Sequence, residues 1–208
     1  MALIDIQVQK EKKLPEKILS IEQFLEWCEE DIQAEWVDGK IIIMSPASRK
    51  HQQIADFLSA ILRIFSETKN LGLAISAPFS MRLDTTPAIR EPDLLFISTA
   101  NLHRLKETYL DGPADIAIEI VSPESIERDR EDKFAEYEQA GISEYWLIDP
   151  ILEQAEFYIL KQGRYHLADI SDGIFRSHIL PGFDLQIAWL WQNPLPNTLR
   201  VLREIGIL

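Results

Sequence analysis

Pro92-Asp93-Leu94-Leu95-Phe96 and Asp115-Ile116-Ala117-Ile118-Glu119-Ile120-Val121-Ser122, followed by a helical pattern containing Lys133, decide the fold. Both stretches read as strands, and each carries one acid among apolar neighbours. In the second, Asp115, Ala117, Glu119 and Val121 share one face, and Ile116, Ile118 and Ile120 share the other. The isoleucine face demands a core, and so a covering helix. The opposite face delivers Glu119 to a cleft. An ionised carboxylate is costly in such surroundings unless it is paired or bound to metal. Asp93, at the start of the first strand, and Glu119, inside the second, can share one cation if the strands are neighbours.

Working outward, Ser20 with Gln23 three residues on predicts a capped helix whose apolar face is Ile21, Phe24, Leu25 and Cys28. Asp38-Gly39, between Glu35-Trp36-Val37 and Ile41-Ile42-Ile43-Met44, predicts a tight hairpin. Ile54, Phe57, Leu58, Ile61, Leu62 and Phe65 mark a long amphipathic helix that stops near Gly72. Strands are expected at about 73–83, 92–98 and 115–122, then a helix over about 126–140 ending at Gly141. A strand at 144–149 and a hairpin over 155–170 turning near Gly163 complete the pattern. Residues 1–17, a weak alternation followed by a charged stretch with Pro15, read as an N-terminal arm. Residues 18–208 read as one domain.

Composition narrows the classes. The chain has 208 residues, 46% of them hydrophobic and 26% charged, which is ordinary for a soluble globular protein. No apolar run approaches the roughly 20 residues needed to cross a bilayer, so no membrane partner is expected. The N-terminus lacks the pattern of a secretory signal, and Cys28 is the one cysteine, so no internal disulfide or cysteine zinc cluster exists. A cytoplasmic location fits. The net charge of -13 argues against a broadly basic nucleic-acid binder, so contact with DNA would need a local basic surface, a partner, or metal in an acidic centre.

Each candidate residue has a bland reading beside the chemical one. Glu119 either binds metal or anchors the sheet by pairing with an Arg or Lys. Asp93 either binds metal or merely starts a strand, as Pro-Asp often does. Together, with water and a backbone carbonyl such as that of Ile120, they form a hard oxygen set suited to Mg²⁺ or Mn²⁺. Lys133 either forms an exposed ion pair with Asp129, four residues before it, or extends into the cleft to assist an attacking water. His51 either touches phosphate or caps its helix. Arg49, Lys50, Arg128 and Arg130 are candidate phosphate contacts. Trp189-Leu190-Trp191 reads as core or dimer interface before base stacking.

Glu35-Trp36-Val37-Asp38-Gly39, Ser45-Pro46, His51, Pro92-Asp93, Glu119-Ile120-Val121-Ser122-Pro123, Lys133 with Tyr137, Ala140-Gly141 and Glu144-Tyr145-Trp146-Leu147-Ile148-Asp149 follow one another in an order that resembles the Uma-two family. That family sits within the PD-(D/E)XK nuclease superfamily. The likeness covers about residues 20–190. It implies an α/β restriction-endonuclease-like fold, a central mixed sheet flanked by helices, with an added N-terminal hairpin and C-terminal strands. It also implies metal-dependent hydrolysis of DNA phosphodiester bonds. Asp93 and Glu119 take the metal-binding acid positions, and Glu35 matches an upstream acid that would supply a further ligand or a water contact. The superfamily's usual lysine, two residues after the second acid, is replaced by Val121. In similar proteins that lysine can migrate to the following helix, which maps its role onto Lys133. A homodimer, with two sites to cut two strands, fits this reading. The rival is a non-catalytic interaction module that keeps the fold, favoured by the acidic charge and by Val121. A sugar hydrolase with a carboxylate pair lacks the aromatic context it would need.

Overall fold

Ser20 opens the first helix in the way its spacing predicts. Its hydroxyl accepts the Gln23 N–H while the Gln23 side chain accepts the Ser20 N–H at 3.0 Å, a reciprocal cap on α1 (Ile21–Trp27). The structure, a computed structural model, describes residues 20–28, 32–83 and 85–208. The arm expected over residues 1–17 lies outside them. Next come β1 (Ala34–Val37) and β2 (Lys40–Ile43), joined through Asp38 and Gly39 at φ of 45° and 79°. A two-residue hairpin turn needs that pair of conformations.

After α2 (Arg49–Thr68) run β3 (Gly72–Ser76), β4 (Ser80–Leu83), β5 (Ala88–Arg90), β6 (Leu94–Ser98), β7 (Tyr109–Asp111) and β8 (Ile116–Ile120). Then follow α3 (Lys133–Ala140), β9 (Glu144–Asp149), β10 (Gln154–Lys161), β11 (Arg164–Leu167), β12 (Ile174–Arg176), β13 (Asp184–Gln186) and α4 (Thr198–Glu204). The stretch 73–83, expected as one strand, is two strands in two different sheets. Pro78 has no N–H to give a ladder, and the chain changes sheets there. The helix expected over about 126–140 is present, but it widens inside into a π turn over Arg128–Asp132, in which the Lys133 N–H reaches back to the Arg128 carbonyl.

One sheet has the order β11-β10-β9-β8-β6-β3, antiparallel except for the parallel pair β8–β9 that α3 bridges. A second sheet, β2-β1-β5-β4-β7, is likewise mixed, with β4 and β7 parallel. A Cβ on Gly72 would lie 2.0 Å from the Ile97 carbonyl, so only glycine lets the edge strand β3 close on β6 at that point.

The two faces of β8 pack as its alternation predicts. Ile116, Ile118 and Ile120 lie in one core with Ile54, Leu58 and Ile61 of α2. Full burial of each such side chain stabilises by about 1.5–3 kcal/mol. Ala117 and Val121 face a second core with Tyr137, Tyr145 and Leu147. Trp189 and Leu190 are buried in the first core, in accord with the packing reading of that segment. Cys28 is half-buried, its Sγ 3.3 Å from the Ile32 carbonyl.

Candidate active site

The ladder between β6 and β8 pairs Leu94 with Ile118 and Leu95 with Ala117, so one step further Asp93 lies beside Glu119. Asp93 Oδ2 accepts the Ile120 N–H at 2.6 Å and lies 3.2 Å from His51 Nε2. His51 does not cap α2. Ser48 does, through its hydroxyl, and the His51 ring is turned toward Asp93 instead.

Glu119 is 3% exposed. Its Oε1 accepts the Tyr137 hydroxyl at 2.7 Å and lies 2.9 Å from Lys133 Nζ. Residues 129, 133 and 137 follow one another at helical spacing, so their side chains share the face that meets the sheet. Lys133 is 1% exposed and Asp129 equally buried, which excludes the solvent-exposed pair as the reading of these two residues. Asp129 Oδ1 is 3.6 Å from Lys133 Nζ, too far for a hydrogen bond.

Glu35 stands at the floor of this group, on β1. Its Oε1 lies 2.9 Å from Lys133 Nζ and accepts the Glu91 N–H at 3.2 Å. Its Oε2 accepts Arg90 Nη1 at 2.8 Å. Arg90 turns its remaining fork to Glu136 of α3, with Nε and Nη2 each at 2.7 Å. Bidentate geometry of this kind is among the stronger charge-assisted contacts. Both Glu35 oxygens are thus committed to protein donors, which suits holding Lys133 better than ligating an ion.

Charge in this region is unbalanced. Glu35, Glu91, Asp93, Glu119 and Asp129 face Lys133, Arg128 and an Arg90 that also serves Glu136. Burial opposes ionisation of Glu35, but Lys133, Arg90 and Arg128 outweigh it and bring its pKa down to about 2. Elsewhere the surplus of acid wins. Burial pushes Glu91 up to about 7, with the neighbouring Glu35 adding to it. Burial drives Glu119 well above the usual carboxyl range despite Lys133, and raises Asp129 as well. His51 is raised too: its burial works the other way, but the Asp93 carboxylate and the Ile120 carbonyl prevail.

Asp93, Glu119, Ile120, Lys133, His51, Arg128 and Asp129 all line one cavity of about 360 Å³. Among the described residues no group of three or more His, Cys, Asp or Glu forms a ready metal cage. The donors present are two carboxylates and a carbonyl, hard oxygens on a site with excess negative charge. That chemistry suits a Mg²⁺-like ion, which takes few protein ligands and keeps several waters.

Of the basic candidates, Lys50 is tied to the Pro150 carbonyl at 2.5 Å, and Arg130 to Glu156 at 2.5 Å, so both serve local structure. Only Arg128 of these lines the cavity. His103, His166 and His178 lie apart from it. The sequence reading missed Arg90 and Glu91. They sit directly before Pro92-Asp93, and the adjacent charged pair between two apolar runs was the one signal available.

A crystal structure of a putative nuclease from Anabaena variabilis has the same fold, with a TM-score of 0.71. The match covers 83% of this chain and 97% of that one at 19% sequence identity. No functionally curated protein matches the sequence. The profile of the Uma-two family, described as putative restriction endonuclease, matches residues 21–188, and the chain belongs to that family.

Proposed function

We propose that the protein is a divalent-metal-dependent endonuclease that hydrolyses DNA phosphodiester bonds. The observation that carries this reading is the meeting of Asp93, Glu119 and Lys133 in one cavity where buried carboxyls outnumber buried cations. Asp93, Glu119 and the Ile120 carbonyl are the groups that would hold Mg²⁺ or Mn²⁺. When bound, such an ion neutralises charge on the phosphate and favours ionisation of water. Lys133, fixed between Glu35 and Glu119, is placed to orient the attacking water and to offset developing negative charge. Tyr137 holds the Glu119 carboxylate from the other side. His51 keeps Asp93 turned toward the Ile120 backbone. Two copies acting on opposite strands would complete a double-strand cut.

The non-catalytic reading rested on the acidic charge and on Val121. Lys133 at 2.9 Å from Glu119 supports the catalytic reading on the second point, since it offers an ammonium where Val121 offers none. Calorimetric titration with Mn²⁺ and a plasmid-nicking assay in Mg²⁺ test the proposal together. The wild type should bind metal and nick DNA, while Asp93→Ala and Glu119→Gln should lose most metal affinity and all detectable nicking. Undiminished metal affinity in both variants would sink the site. Metal binding without nicking would return the interaction module to first place.

A further inference from the structure

Buried polar groups in folded proteins are almost always hydrogen-bonded, so those that are not point to something the site is built to receive. Among the described residues five buried side-chain polar atoms lack a hydrogen bond. Three of them, His51 Nδ1, Arg128 Nε and Asp129 Oδ1, belong to residues that line the same cavity. A metal ion can serve the Asp129 oxygen. It cannot serve Arg128, whose guanidinium only donates and is always charged.

The carboxylate facing Arg128 does not satisfy it. Glu35 Oε2 lies 3.8 Å from Arg128 Nε and already accepts Arg90 at 2.8 Å. Glu35 is also shared with Lys133. Lys133 and Arg90 have further carboxylates in Glu119 and Glu136, whereas Arg128, among the described residues, has none at ion-pair distance besides Glu35. Its side chain is 18% exposed, enough to meet a ligand and too buried for water to serve every donor. In an acid-rich cavity, a group left without a close acceptor is a planar cation suited to phosphate oxygens.

We propose that Arg128 is the phosphate-recognition residue of this site, its guanidinium donating from the partly exposed edge to a non-bridging oxygen of the bound phosphodiester while the buried Nε stays turned toward Glu35. This deepens the nuclease reading and rests on it. Glu35 steers the guanidinium from behind, and the π turn at Arg128–Asp132 carries it to the cavity wall. The contact also answers how a chain of net charge -13 holds a polyanion: it meets the nucleic acid with a local cation, not with its overall field.

The test uses the full chain, fluorescent duplex and single-stranded oligonucleotides, and Ca²⁺ as the divalent ion. Arg128→Gln should bind oligonucleotide about 10–100-fold more weakly than wild type, with its log–log salt slope reduced by about one. Its Ca²⁺ affinity without oligonucleotide should match wild type. Should Arg128→Gln fail to fold, Arg128→Lys carries the test. It keeps the charge, so its salt slope should hold while affinity falls about tenfold from the lost fork geometry. Wild-type oligonucleotide affinity in the folded variant defeats this proposal alone. Equal losses of Ca²⁺ and oligonucleotide affinity would also defeat it, by making Arg128 a residue that builds the acidic site. A wild type that binds Ca²⁺ but neither oligonucleotide defeats this proposal and the nuclease reading together.

Discussion

Lys133 is the shared counter-ion of Glu35, Glu119 and Asp129, and that position gives it a structural role beside the proposed chemical one. Removing one member of a buried ion network strands its partners, at a cost of about 3–5 kcal/mol. Lys133→Ala should therefore destabilise the fold by that order at pH 8. The pH dependence has a definite sign. Glu119 and Asp129 have raised pKa values in the folded state, so that state holds their protons more tightly than the unfolded chain does. Their contribution to stability falls as pH rises above the ordinary carboxyl range. Without Lys133 the effect grows, because the ionised forms lose their one shared cation. The loss in Lys133→Ala should thus be smaller at pH 5, where both carboxyls protonate more readily, than at pH 8. Glu35 works the other way, adding stability above pH 4.5 that fades as pH falls toward 2. Urea midpoints of wild type and variant at the two pH values check this. Equal losses at pH 5 and pH 8 would mean that the lysine contributes packing and not charge.

Elements with long periodic patterns were legible in the sequence, and those held by a few specific contacts were not. The isoleucine face of β8, the apolar stripe of α2 and the Asp38-Gly39 turn each repeat one physical signal over several residues. By contrast β5 and β7 are three residues each, too short for an alternation to register. At the site, Asp93, Glu119 and Lys133 could be picked out by type and order. The burial of Asp129 and the double use of Arg90 could not, because both depend on which helix face meets the sheet. Glu144 is a further case. It looked like the ordinary start of a strand, yet it is fully buried and gathers the C-terminal segment onto β9. Its carboxylate accepts Trp146 Nε1 at 2.9 Å, the Ser177 hydroxyl at 2.9 Å, and the His178 and Ile179 N–H groups at 2.6 and 3.0 Å. Glu144→Ala leaves Trp146 Nε1 and the His178 N–H without an acceptor, while the Ile179 N–H keeps the Ser177 hydroxyl at 3.2 Å, and should cost about 3 kcal/mol. Thermal and urea melts would read that loss, and Glu144→Gln, which keeps one acceptor oxygen, should lose less. A Glu144→Ala protein that melts like wild type would show that apolar packing alone holds β12 and β13 in place.

At the scale of the whole molecule, the acidic charge and the acidic cavity act on nucleic acid in the same direction. A net charge of -13 slows encounter with a polyanion, and the carboxyls lining the cavity would repel a phosphate at close range. Lys50 and Arg130 do little against this, since each is already tied to the protein. On the proposed reading a divalent ion would cancel charge on the Asp93–Glu119 pair, so that Arg128 would meet a phosphate against a smaller carboxylate surplus. Binding of a duplex should accordingly be weak in EDTA and rise at least about tenfold in Ca²⁺, the scale of one additional charge-assisted hydrogen bond. Few phosphates are neutralised in this scheme. Two or three such phosphates give a log–log salt slope of only about -2 to -3, far shallower than that of a protein with a broad basic face. Fluorescence anisotropy across a salt series, with and without Ca²⁺, measures both quantities. Tight binding in EDTA, or a slope several times steeper, would mean that DNA docks on a basic surface away from this cavity.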